Sequence, residues 1–340
     1  MKFLKELVET PGVPGREERV RELILRETQG LFDETRIDGM GNLICRKKPT
    51  RGGEGARKVL LACHIDEIGF YVRSIDDAGR LRVQNVGGFD TRNLFARRVL
   101  VQGKRDLLGV MNPSVKPIHV ATEEERKQVP QMKDIYVDLF LPAEQVKELV
   151  RVGDPITLVQ TFEEIGDYCN GKCMDNRVAS WVAINALRKV QSSALDIYYA
   201  ATVQEEVGCR GAGPTSFDVN PDIGIAIDTT LACDVPGIDK TDAISELGKG
   251  VAIKVMDAGS ISSRALVDEF IGLAEQNGIP YQLEILPMGR TDQATIHQAR
   301  AGLQTITLSI PTRYIHTVCE TVHKKDLQAV VDLLAAWLSR

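Results

Sequence analysis

Apolar and polar positions follow two different rhythms along this chain. Nearly continuous apolar runs at 58–63, 195–203, 223–227, 251–255, 281–286 and 305–309 alternate with segments at 17–31, 178–190, 262–276, 292–299 and 325–338 that read as helices. A strand covered on both faces reads as an unbroken apolar run, and its alternation with helices predicts α/β layering. From 70 to about 160 the rhythm changes to short alternating runs set off by glycine (70–73, 81–83, 98–101, 107–110, 135–139), broken by one helix that opens at Pro142. Such spacing predicts a small β-barrel or sandwich. The expected organisation is an α/β domain over 1–69 and 165–340, interrupted by a β-rich domain over 70–164. A short strand is expected at 42–45 and an exposed turn at 51–55.

The length of 340 residues agrees with two domains. With 43% apolar and 26% charged residues the composition is that of a soluble globular protein. Lys and Arg number 42 against 47 Asp and Glu, a net charge of −5, which gives no reason to expect nucleic acid as a partner. No apolar run approaches the roughly 20 residues of a membrane span. The opening Met1-Lys2-Phe3-Leu4-Lys5-Glu6-Leu7 is expected to start an amphipathic helix rather than a signal peptide. Seven cysteines scattered without a framework point to a reducing compartment, with the cytoplasm expected. Cys169 and Cys173 lack a second pair to complete a tetrahedral zinc site.

The chemistry lies just past the strand ends. The run at 58–63 leads into His64-Ile65-Asp66-Glu67, that at 197–203 into Gln204-Glu205-Glu206, that at 223–227 into Asp228, and that at 305–310 toward His316. In open α/β sheets ligands bind beyond the carboxyl ends of the strands. Taken singly, Asp175 suits a helix cap, Asp228 a strand-end turn and His316 a hydrogen-bonded loop histidine. Together at one edge they form a ligand set for zinc, cobalt or manganese. Asp175 bridges two ions in this reading. His64 and Asp228 complete one, Glu206 and His316 the other, leaving room for a shared water. Glu205 is then free to act as general base. Asp66, two residues beyond His64 and on the same side of the strand, is placed to take the other imidazole proton. The set describes amide hydrolysis better than redox or phosphoryl chemistry, and no P-loop glycine pattern appears. His119, His297 and His323 are read as structural.

Four segments carry a resemblance to a known family: Cys63-His64-Ile65-Asp66-Glu67-Ile68-Gly69, Met174-Asp175-Asn176-Arg177, Gln204-Glu205-Glu206-Val207-Gly208-Cys209-Arg210-Gly211-Ala212, and Arg313-Tyr314-Ile315-His316-Thr317. They resemble the motifs of the tetrahedral aminopeptidases, the glutamyl aminopeptidase-like family of dinuclear metallopeptidases, in places mislabelled as endoglucanases. The resemblance implies a phosphorylase/hydrolase-like three-layer α/β catalytic domain with an inserted PDZ-like β-barrel that drives dimerisation. It also implies two divalent ions per subunit, short peptides as substrates, and dimers that assemble into a hollow tetrahedral dodecamer. Position by position it places ligands at His64, Asp175, Glu206, Asp228 and His316, the base at Glu205 and the supporting acid at Asp66. Two stretches depart from the pattern. Gly289-Arg290 precedes Thr291-Asp292 where relatives often have two glycines, and Gly171-Lys172-Cys173-Met174 replaces a small apolar lead into Asp175. Arg290 is therefore either a surface residue or part of a pocket favouring acidic side chains. Rival readings are another amide hydrolase on the same site, a deacylase or deblocking enzyme, and a scaffold without catalysis.

Overall fold

The computed structural model describes residues 1–52 and 55–340. The exposed turn expected at 51–55 includes Gly53 and Glu54, which lie outside the described residues. The chain opens with α1 (Lys2–Glu9), α2 (Glu18–Glu27), β1 (Glu34–Ile37), β2 (Leu43–Lys47) and β3 (Lys58–His64). Helix α2 ends four residues before the expected Leu31. The Thr28 hydroxyl folds back onto Ile24 O at 2.7 Å, and Gly30 takes a positive φ of 77° that turns the chain away.

The barrel follows: β4 (Gly69–Ile75), β5 (Leu81–Val86), β6 (Arg97–Gln102), β7 (Asp106–Pro113), α3 (Glu123–Lys127), β8 (Ile135–Asp138), α4 (Ala143–Leu149) and β9 (Pro155–Leu158). Its six strands close antiparallel in the order β4-β5-β8-β7-β6-β9. Alternate residues such as Phe70 and Val72, Leu81 and Val83, and Val99 and Val101 fill the interior, joined by Val146 of α4.

Then come β10 (Glu163–Ile165), β11 (Tyr168–Gly171), α5 (Met174–Lys189), β12 (Asp196–Thr202), α6 (Ala212–Val219), β13 (Ile223–Leu231), β14 (Val251–Met256), α7 (Arg264–Asn277), β15 (Tyr281–Ile285), α8 (Gln293–Ile296), β16 (Gln304–Arg313), β17 (Glu320–His323) and α9 (Lys324–Leu338). Eleven strands form one sheet ordered β1-β2-β12-β3-β13-β16-β17-β11-β10, with β14 pairing β16 and β15. Its centre, β12-β3-β13-β16, is parallel. Both faces are covered. Val59, Leu61 and Cys63 of β3 join the large core with α5 and α9, while Leu60 and Ala62 meet Ala212 of α6 and Ile296 of α8. This is the α/β layering with a β-rich insertion that the apolar pattern predicts, and the three layers and closed barrel are those that the resemblance implies. Helix α6 replaces an expected loop. Its Gly213-Pro214 reads as a turn, yet proline fits the first helical turn, where its missing N–H costs nothing.

The register of the parallel strands aligns the chemistry. Thr202 pairs with His64 across β12 and β3, and Ala62 pairs with Ala226, two residues short of His64 and Asp228 respectively. His64 and Asp228 therefore end abreast on neighbouring strands.

Candidate metal centre

The structure brings all seven residues singled out in the sequence to one edge of the sheet. Asp175 sits at its middle. Asp175 Oδ1 lies 3.3 Å from His64 Nε2, and its Oδ2 lies 3.6 Å from His316 Nε2. His64 Nε2 is also 3.6 Å from Asp228 Oδ1, and His316 Nε2 is 3.4 Å from Glu206 Oε2. The result is two neighbouring clusters sharing one carboxylate. Asp175 lies at the amino end of α5, where it and Asn176 depart from helical dihedrals; it is not a simple helix cap. Glu205 reaches the His64 side, with Oε2 3.8 Å from Nε2.

The donor set fits a pair of cations. Donor atoms of His64, Asp175 and Glu206 lie within 4.8 Å of one another. Glu206 Oε1 is buried without a hydrogen-bond partner among the described residues, a costly state unless something positive meets it. Burial pushes Glu205 well above the usual carboxylate range, with Asp228 and Glu206 adding to it. Burial likewise raises Glu206 and Asp228. Burial alone would lower His316, but Asp175 and Glu206 raise it to about 11. His64 is raised by the same kind of neighbours, and this excess of negative charge around both histidines is what a pair of cations would balance.

Two buried carboxylates hold the backbone beneath the cluster. Asp66 accepts the N–H groups of Glu205 and Glu206, both at 3.0 Å, while lying 3.5 Å from His64 Nδ1 without a hydrogen bond to it. Its main grip is therefore on the Glu205-Glu206 turn rather than on the imidazole. Glu320 of β17 accepts the N–H of Asp175 at 2.9 Å and that of His316 at 2.8 Å. Reading the sequence missed Glu320, because a lone acid in a short strand carries no pattern.

A cavity of about 640 Å³ opens over the cluster, walled also by Leu231, Lys254, Leu286, Met288, Arg290 and Ile315. Lys254 was not expected there. It is fully buried and held by Glu284 at 3.0 Å and Asp257 at 3.2 Å. The barrel also reaches the site. A Cβ added at Gly88 would stand 3.2 Å from His316 Nδ1, so glycine lets the loop after β5 close against the histidine. Lys172 points elsewhere: its Nζ lies 2.5 Å from Glu67 Oε2, whose other oxygen accepts Gly12 N–H at 3.0 Å.

The chain is 33% identical over 346 residues to the lysyl aminopeptidase of Pyrococcus furiosus, covering 99% of this chain and 96% of that one. Its fold superposes with a TM-score of 0.94 on an aminopeptidase from the archaeon Desulfurococcus kamchatkensis, at 35% identity, covering 99% of this chain and 94% of that one. For the TET1 peptidase of Pyrococcus horikoshii, which can assemble into a tetrahedron or a large octahedral shell, the TM-score is 0.87 at 32% identity, with coverage of 99% and 98%. Residues 41–333 match the model of the M42 glutamyl aminopeptidase family, and the chain belongs to that family.

Proposed function

We propose that this chain removes the amino-terminal residue of short peptides, using two divalent cations and Glu205 as general base. The observation that carries this reading is the single carboxylate of Asp175 set between His64 and His316. His64, Asp175 and Asp228 would hold one ion, and Asp175, Glu206 and His316 the other; zinc, cobalt and manganese all suit these ligands. When bound, such a pair lowers the pKa of water and polarises a carbonyl.

The protein's own groups do the rest. Glu205 takes a proton from the attacking water at its carboxylate and gives it to the departing amine. Its raised affinity for protons suits that exchange, and the Cys209 thiol donating to Oε1 at 3.1 Å helps hold the carboxylate in place. Asp66 fixes the Glu205-Glu206 turn from below. In this proposal the cavity wall of Leu286 and Met288 to Thr291 receives the first side chain of a peptide.

Residues 70–164 form, in this proposal, a separate oligomerisation domain inserted into the catalytic domain of 1–69 and 165–340. Dimers built through it would assemble into a tetrahedral dodecamer, as the shell of the TET1 peptidase suggests by likeness. No helix among the described residues is long and apolar enough to cross a membrane. The free cysteines fit a cytoplasmic setting.

The test strips the purified protein of metal, restores zinc, cobalt or manganese singly, and compares a free-amine peptide with its acetylated twin. Cleavage of the free-amine peptide alone, dependent on restored ions, is the expected result. Preference for the acetylated twin would establish a deblocking enzyme instead, and turnover by the fully stripped protein would end the two-ion reading.

A further inference from the structure

A second group of metal-ligating atoms lies against the first. Cys209 closes the turn that starts at Glu205: its backbone N–H meets Glu205 O at 2.8 Å. Its Sγ lies 3.1 Å from Glu205 Oε1 and 3.4 Å from Thr291 O. Asp292, next to Thr291, belongs to the same group. One donor atom from each of Glu205, Cys209 and Asp292 lies within 4.8 Å of the other two. Cys209 and Asp292 are 1% and 2% exposed. Thr202 donates to Asp292 Oδ2, but Asp292 Oδ1 is buried and has no hydrogen-bond partner among the described residues. A buried carboxylate oxygen without a hydrogen-bond partner is costly, and a cation relieves it.

We propose that Glu205, Cys209 and Asp292 form a third cation site, selective for thiophilic divalent ions such as cadmium or excess zinc. Glu205 lines the cavity and gives an ion its way in, while Cys209 and Asp292 are buried and do not line it. Sulfur sets the selectivity, because a thiolate prefers soft ions whereas His64, Asp175, Glu206, Asp228 and His316 offer only nitrogen and oxygen. On binding, the S–H bond breaks, its proton leaves to solvent, and a metal–sulfur bond forms without electron transfer. Metal–ligand distances of about 2.0 to 2.3 Å need only a small closing movement of the three side chains. Occupancy engages the carboxylate of Glu205, so it inhibits turnover; this consequence rests on Glu205 being the base.

The experiment uses the full-length zinc-loaded protein with the two accessible thiols removed by Cys233→Ser and Cys319→Ser. Cadmium chloride is titrated in while absorption in the near ultraviolet is followed for the cadmium–thiolate band. One further equivalent should bind with that band and turnover should fall in step. Cys209→Ser should abolish the band, and Asp292→Asn should weaken the binding that produces it by about tenfold or more. A band that survives Cys209→Ser, or that never arises in the parent protein, overturns the site. A band with undiminished turnover leaves the site standing and removes Glu205 from the base role.

Discussion

Glu320 Oε2 accepts the backbone N–H of Asp175 at 2.9 Å. Its other oxygen takes the N–H of His316, so one buried acid fixes the backbone of both Asp175 and His316. Asp66 grips Glu205 and Glu206 in the same way from another strand end. Ligands positioned through their backbones keep their geometry whether or not an ion is present. In Glu320→Gln one acceptor oxygen becomes an N–H₂ group facing a backbone N–H. If the proposed two-ion centre is right, the variant should bind one of the ions about 10- to 100-fold more weakly, with turnover recovering at high metal concentration. Unchanged metal affinity in a folded variant would show that Glu320 does not position the centre.

With Glu205 as the proposed base, chemistry can be separated from ion binding by experiment. Glu205 stands beside His64 but outside the two three-ligand clusters, and losing a positioned general base typically costs 10²- to 10⁴-fold in rate, on the order of the fall expected for kcat. Glu205→Ala should lose turnover on that scale while retaining two ions per chain by elemental analysis. A variant with near-normal kcat contradicts the base assignment.

Ion removal should also be visible as lost stability. Asp175, Glu205, Glu206 and Asp228 crowd an edge where His64 and His316 are the nearest countercharges. Each bound ion adds about 2.7 kcal/mol when present at one hundred times its dissociation constant. Calorimetry should therefore show Tm falling on chelation and recovering with zinc, cobalt or manganese, and Asp175→Asn should blunt that response. A Tm indifferent to chelation would argue against structural coupling between fold and ions.

The sheet was legible because β3, β12, β13 and β16 are buried on both faces, which leaves continuous apolar runs with acids or histidines at their ends. Six of the seven candidate residues were visible for the same reason, lying at or just past the ends of those runs; Asp175 instead opens helix α5. What escaped had no periodic signal. Strand β10 is three exposed residues, Glu163-Glu164-Ile165, held only by pairing with β11, and β17 is four residues made a strand by its neighbours β16 and β11. Glu320 enters the site from such an element and Gly88 from the barrel, while Lys254 is a single charge inside the apolar run of β14, so only the tertiary fold reveals them.

Glu17 gives the protein a pH-dependent stability. Burial, with the nearby charge of Asp66, raises its carboxyl to about 7 from an ordinary 4.5, although its Oε1 accepts N–H groups from Gly15 and Gln204. A raised acid binds its proton more tightly in the folded state, so its stabilising contribution is present in full below pH 4.5. That contribution is lost as pH rises through 7. Glu17→Gln keeps the accepting oxygen and removes the charge. It should raise stability by up to about 3 kcal/mol above pH 8, with little effect near pH 4. Denaturant midpoints at both pH values measure this; an equal shift at the two would show that the charge is not the cause.

Arg290 offers a test of substrate choice. It is exposed and lines the cavity beside apolar Leu286 and Met288, while Lys254 in the same wall is already held by Glu284 and Asp257. A guanidinium matches a carboxylate with two parallel hydrogen bonds, a geometry an ammonium cannot reproduce. If Arg290 meets the first side chain of the substrate, Arg290→Ala should lower kcat/KM about tenfold for peptides beginning with Glu or Asp, which corresponds to about 1.4 kcal/mol. Peptides beginning with Leu or Ala should be affected much less, and Arg290→Lys should fall between. Assays of matched acidic and neutral amides on the three proteins decide the matter, and an unaltered preference would leave Arg290 a surface residue.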